Sequence, residues 1–170
     1  MSRGVGVMVI YHPAYDVHHC VYRVLNLLSS VDDHEISKDA LRLMDFYYLY
    51  PHLLKTINLP RPLSRLKKII SETPDPFEVT PNPRSLFYDL SRIQDSAMLA
   101  LQQKSMIKLT ASTVALFADS LPTNLLESFK DDTFANTELF RGLVNAFPKV
   151  KLEGKNGFKC KSGLMEYRYD

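Results

Sequence analysis

The sequence contains few of the residues from which enzyme sites are usually built. Its 170 residues include only two cysteines and six glycines, and three of those glycines lie in the last seventeen positions. So few glycines cannot line a nucleotide cradle, and the chain has no CxxC, HxxxH, HExxH or GxSxG motif. The sequence therefore predicts a protein that is not an enzyme, with no catalytic residue, no cofactor and no metal site.

The sequence also offers no signal for secretion or for a membrane. No apolar run approaches the roughly 18 residues of a spanning helix. Cys20 and Cys160 are typical of small apolar side chains in a reducing compartment. His18 and His19 adjoin Cys20, but successive residues of a helix point about 100° apart and cannot converge on one metal ion. We therefore expect a cytoplasmic protein that binds no membrane.

The charge is small but unevenly distributed. The formal net charge is +2, yet residues 55–68 contain five basic residues and no acid. Residues 141–170 contain seven basic residues against three acids. Each block alone is usually a solvated surface, but two of them on a small protein favour contact with DNA phosphates or with an acidic partner. The candidate contacts are Arg61, Arg65, Lys67, Lys68, Lys155, Lys159 and Lys161.

Apolar spacing and capping residues predict three long helices. Asp16 is a candidate N-cap for a helix over 16–30, and Ser37 for a second over 37–50. Asn82 followed by Pro83 is a favourable start for a helix over 83–104. Short β-branched runs predict strands at 4–11, 106–110 and 112–117.

The C-terminal region carries the strongest turn signal. The sequence GKNG at 154–157 separates two alternating segments, which predicts a β-hairpin over about 149–169. We therefore predict one α+β, mainly helical domain over 1–170, with helices over about 12–147 and a small antiparallel sheet. Short helix, long helix and hairpin in that order suggest winged-helix-like elements.

The second predicted helix is apolar on nearly all sides. Such a helix is either buried in a core or covered by a partner. Its aromatic cluster, Phe46, Tyr47, Tyr48 and Tyr50, has a packed core as its commoner interpretation. The cluster also exceeds what one small core needs, so we expect part of it to bind a partner.

Three segments resemble a known family. The sequences YHPAYDV at 11–17, HCVYR at 19–23 followed by Leu25, and LMDFYYLYP at 43–51 are similar to signatures of small middle components of bacterial three-component systems. These systems are built around an SMC-like ABC ATPase, and the Lamassu and DdmABC defence systems are members. The resemblance covers the first third of the chain well and the remainder only in outline.

The resemblance implies a non-catalytic accessory subunit that bridges or licenses a nuclease-type effector on the ATPase, in defence against phage or plasmids. The partners would be that ATPase and the effector, with DNA contacted through the complex. No catalytic residues carry over, because the matched motifs look structural. Asp16, Arg23 and Asp45 are their polar members, and we expect an ion pair between two of them. The alternative function is a stand-alone winged-helix DNA-binding regulator.

Overall fold

A computed structural model describes residues 13–165, and the elements within that range come mainly from local sequence signals. The predicted strand at 4–11 and the last part of the predicted hairpin, 166–169, lie outside the described residues. In chain order the elements are α1 (Val17–Ser30), β1 (Glu35–Ser37), α2 (Lys38–Leu49), α3 (Arg61–Ser64), α4 (Lys67–Ser71), α5 (Pro83–Gln103), β2 (Ile107–Leu109), β3 (Thr113–Leu116), α6 (Thr123–Asp131), α7 (Glu138–Ala146) and α8 (Phe158–Ser162).

The three long helices begin at the capping residues that the sequence predicts. The Asp16 carboxylate accepts a hydrogen bond from the backbone N–H of His18 at 2.7 Å. The Ser37 hydroxyl and the Asn82 side-chain oxygen cap α2 and α5 in the same way. Each cap satisfies an N–H group that has no partner inside its helix. The predicted starts of α1, α2 and α5 are confirmed.

A small antiparallel sheet lies beside these helices. Its strand order is β1-β3-β2, with Ile36 paired to Val114 and Ile107 paired to Leu116. The predicted strands at 106–110 and 112–117 are confirmed as the β2–β3 hairpin, whereas β1 was not predicted because three residues carry too weak a pattern. The fold class is confirmed as mainly helical α+β with a small antiparallel sheet.

The core is formed where α1, α2, α5 and α7 meet the sheet and the C-terminal segment. Its buried side chains extend from Cys20 to Leu164. Tyr47 contacts Phe158 edge to face, with ring centroids 5.7 Å apart, and Phe158 contacts Phe147 at 5.0 Å. Such aromatic pairs add to the stabilisation from buried area. They attach the C-terminal segment firmly to α2.

The predicted C-terminal β-hairpin is wrong across the part that the structure describes. Residues 149–165 contain no strand, and α8 occupies the place of its second arm. A type I′ hairpin turn centred on Asn156 and Gly157 needs positive φ at both residues, but neither has it, and Gly157 has φ −75°. Within residues 154–157 the left-handed residue is Gly154, at φ +86°. Phe158 is completely buried. We conclude that burial of this ring, together with the turn geometry, directs the chain into a helix.

Candidate functional site

A groove of about 810 Å³ is the candidate site among the described residues. It lies between the start of α2, one face of α5, the β2–β3 loop and the C-terminal segment. Its charged and aromatic lining includes Lys38, Asp39, Arg42, Arg84, Tyr88 and Asp95. Because both signs of charge are present with an exposed tyrosine, the lining is better suited to a mixed protein surface than to a phosphate group.

A buried ion pair is connected to this groove through Gln94 and Arg42. The Arg23 Nε donates to Asp45 Oδ1 at 2.6 Å, and both side chains are almost inaccessible to solvent. Gln94 donates to the other carboxylate oxygen of Asp45 at 2.9 Å, and the Cys20 thiol lies 3.8 Å from that same oxygen. The Asp45 charge is therefore paired and hydrogen-bonded, as a buried charge must be. The ion pair predicted among Asp16, Arg23 and Asp45 is present between the last two.

Burial and charge change the ionisation of the groups around this pair. Burial, followed by the charge of Asp45, raises the pKa of the Cys20 thiol well above its usual range. Burial on its own would lower the pKa of Arg23, but the charge and hydrogen bonds of Asp45 raise it overall. Cys20 is thus a protonated thiol at neutral pH, which is neither a good nucleophile nor a good metal ligand.

A chain of polar contacts connects the buried pair with the groove. Gln94 donates to the backbone oxygen of Arg42 at 3.1 Å, and Arg42 donates to the backbone oxygen of Ser91 at 3.2 Å. Arg42 also forms an ion pair with Asp95 at the groove surface. The groove wall is therefore held in place by the same network that pairs Asp45.

The structure places the predicted aromatic cluster mostly inside the molecule. Phe46 is 0% exposed and Tyr47 is 1% exposed, so both pack the core rather than the surface. Tyr48 and Tyr50 are half-buried. The Tyr48 hydroxyl donates to Asp132 at 2.7 Å and thereby links α2 to the α6–α7 connection. A partner contact through Phe46 or Tyr47 is incompatible with this fold, and one through Tyr48 or Tyr50 stays a prediction.

The predicted basic contacts divide into two groups. Arg61, Arg65, Lys67 and Lys68 are all exposed on α3 and α4 and the turn between them. Lys159 is instead engaged by Asp39, at 2.6 Å, and by Glu153. Burial lowers its pKa, but the hydrogen bonds to these two carboxylates raise it overall. Lys155 is exposed and Lys161 is half-buried. The exposed basic residues are densest in a basic segment, residues 61–68, and a contact through Lys155 or Lys161 stays a prediction.

Sequence reasoning missed two residues of the polar network, Gln94 and Arg42. Gln94 carried a usable signal, because it lies on the apolar stripe of α5 between Leu90 and Ala97. A polar side chain on such a stripe needs a buried partner. Arg42 carried no comparable signal in the sequence.

Metal-binding and membrane-spanning features are both absent from the described part of the chain. Between residues 13 and 165, no group of three or more His, Cys, Asp or Glu side chains is arranged to hold a metal ion. His12 lies outside this range. None of the helices formed by these residues has both the length and the apolar character needed to cross a membrane.

The chain belongs to a family of proteins that are components of three-component systems. Residues 9–170 match the family model described as ABC-three component (ABC-3C) system Middle Component 5. Because the match covers nearly the whole chain, the protein is a member of this middle-component family. It is accordingly an accessory component and not the ATPase of the system. No curated protein and no solved structure matches the chain.

Proposed function

We propose that the protein is the non-catalytic subunit that bridges or licenses a nuclease-type effector on an SMC-like ATPase. It would act in the bacterial cytoplasm against phages or plasmids, in a complex of the Lamassu or DdmABC type. The observation that carries this proposal is the middle-component family match over residues 9–170. The similarity of residues 11–51 to the signatures of that group supports it.

The position of the signature residues supports a scaffolding role. Asp16 caps α1, and Arg23 and Asp45 pair inside the core. Signature residues that cap and pair helices maintain a shape to which other molecules bind. A buried ion pair of this kind contributes more to a defined arrangement than to stability.

The order of elements supports a winged-helix-like arrangement. The chain order is α1, β1, α2, α5 and then the β2–β3 hairpin, and the sheet order is β1-β3-β2. Residues 50–82, which include α3 and α4, are inserted between α2 and α5. In this arrangement α5 corresponds to the recognition helix and the hairpin to the wing. Under this proposal the wing would be the hairpin at 107–116 and not residues 149–169, where the sequence predicts a hairpin. Such a module serves protein contact as readily as DNA contact.

The same order of elements is the basis of the alternative, a stand-alone DNA-binding regulator. The exposed face of α5 argues against it, because Asp89 and Asp95 alternate there with Arg84 and Arg92. The loop of the hairpin, residues 110–112, carries no charge. A surface of this kind releases few counterions from DNA and would bind weakly alone.

The test is co-purification with the other components of its own system. The tagged chain is co-expressed with the ATPase and the effector encoded beside it, and complexes are isolated at moderate salt. We expect a stable complex, with no turnover by the isolated chain. A chain that remains alone yet binds DNA tightly, with affinity falling steeply as salt rises, would instead support the regulator.

A further inference from the structure

The loop between α4 and α5 exposes its apolar side chains completely. Phe77 has 111% of its reference surface exposed and Val79 has 96%, which makes them the most exposed large hydrophobic side chains of the described residues. The other exposed residues of this kind do not exceed 60%. Single exposed apolar residues are ordinary, but two separated by one residue and this fully solvated are not.

The loop is fixed at both sides of these two residues. The Lys55 Nζ forms an ion pair with Asp75 Oδ1 at 2.9 Å, and the His52 ring hydrogen-bonds the Thr80 hydroxyl at 2.8 Å. Both fixing residues belong to the 3₁₀-helix Pro51–Thr56. The chain between the two attachment points, residues 76–79, is therefore held out from the body of the molecule.

Proline content restricts the loop further. Pro74, Pro76 and Pro81 fall within residues 72–82. Each proline fixes one backbone torsion angle and removes conformations that the free loop would otherwise sample. A segment that is already ordered loses less entropy when it binds. The loop has the properties of a preorganised ligand rather than of a flexible connection.

The charge of the loop indicates what it binds. Residues 72–82 contain Glu72, Asp75 and Glu78 and no basic residue. Asp75 is paired with Lys55, whereas Glu72 and Glu78 form no ion pair with the described residues. A complementary surface would combine an apolar pocket with basic residues at its rim.

We propose that Phe77 and Val79 insert into an apolar pocket with a basic rim on another component of the three-component system. This inference rests on the proposed accessory function and assigns one of its contact surfaces. A second copy of this chain fits less well, because its groove offers Asp39 and Asp95 to the acidic loop as well as lysine and arginine.

The test compares two double variants of the full chain against the purified ATPase and effector components. Phe77→Ser with Val79→Ser removes the inserted side chains. Phe117→Ser with Leu126→Ser removes one aromatic and one aliphatic exposed side chain that do not line the groove, and serves as the matched control. We expect the loop variant to weaken binding at least about tenfold, since buried aromatic anchors dominate interface energies. The control should bind within about twofold of the wild type.

Two further measurements separate the outcomes. Because Phe77 and Val79 are almost fully solvated, the thermal midpoint of the loop variant should match that of the wild type. Glu78→Lys should also weaken binding, and the affinity of this variant should depend less on salt.

Equal affinity of the loop variant and the wild type would overturn this inference while leaving the accessory function intact. If the wild-type chain bound neither component, both this inference and the accessory function would be overturned. Self-association that the loop variant abolishes, measured by sedimentation, would assign the loop to a second copy and contradict the proposal.

Discussion

At the scale of single residues, the buried charge of Asp45 is tolerated only because neighbouring side chains compensate it. It lies in the signature-like segment 43–51, and its charge is compensated by Arg23 and by Gln94. Removing one member of a buried ion pair leaves the other charge desolvated and unpaired. The effect is large because both side chains are enclosed by the core.

We expect Asp45→Ala to lower the free energy of unfolding by about 3–5 kcal/mol. Asp95→Ala breaks the ion pair with Arg42, but Asp95 is exposed, so we expect a decrease below about 1 kcal/mol. Urea denaturation followed by circular dichroism measures both values. Equal effects of the two variants would show that the Arg23–Asp45 pair is not important for the fold.

The two cysteines should react very differently. Cys160 is exposed, whereas Cys20 is buried and its pKa is raised by burial and by the charge of Asp45. Since the thiolate is the reactive form, we expect a maleimide at about pH 7.5 to label Cys160 rapidly and Cys20 only after unfolding. Mass spectrometry of tryptic peptides gives the result, and Cys160→Ser should abolish rapid labelling. Fast labelling of Cys20 would mean that α1 and α2 separate in solution.

At the scale of elements, the turn before α8 requires a glycine because the backbone approaches too closely. A Cβ atom at Gly157 would lie 2.3 Å from the backbone oxygen of Leu152 and 2.4 Å from that of Glu153. Backbone atoms cannot rotate away as a side chain does. The φ of Gly157 is ordinary, so lack of space, and not backbone torsion, is the constraint.

We expect Gly157→Ala to destabilise the protein by about 1–3 kcal/mol, because the turn must open and α8 must shift. Phe158 would then fit less well against Tyr47 and Phe147. Lys155→Ala, in the same turn but exposed, is the control and should change stability by less than about 0.5 kcal/mol. Thermal denaturation compares the two. A stable Gly157→Ala protein would indicate that this turn is not tightly packed.

At the scale of the whole molecule, three candidate binding surfaces come from different segments of the chain. The basic segment 61–68 and the acidic, apolar loop 72–82 are close in sequence but opposite in charge, whereas the groove is formed by α2, α5 and the C-terminal segment. A bridging subunit needs more than one binding surface. We infer that the basic segment faces DNA in the assembled complex.

We expect Lys67→Glu with Lys68→Glu to leave assembly intact and to weaken DNA binding by the complex. The slope of log affinity against log salt should decrease in magnitude by about 0.9 for each phosphate that the complex no longer neutralises. Lys104→Glu with Lys108→Glu changes the net charge equally, at the end of α5 and within β2, and should have little effect. Fluorescence anisotropy with duplex DNA measures both. The reverse result would assign DNA binding to the hairpin.

Local signals in the sequence were sufficient to predict much of the helical framework. Asp16, Ser37 and Asn82 satisfy the first N–H groups of their own helices, so their effect does not depend on distant residues. The sequence also predicts an ion pair between two of Asp16, Arg23 and Asp45, and the structure shows that the pair joins Arg23 and Asp45. These are short-range requirements that appear directly in the order of residues.

Packing between distant segments decided the remainder. Tyr47 became core rather than surface because Phe147 and Phe158, a hundred residues or more later, cover it. The same packing converted the predicted C-terminal hairpin into α8, and the approach of α5 brought Gln94 to Asp45. The sequence by itself determined where the main helices begin and that a buried charge needs a partner. Only the tertiary structure decided which side chains meet, because burial depends on residues that are far apart in the chain.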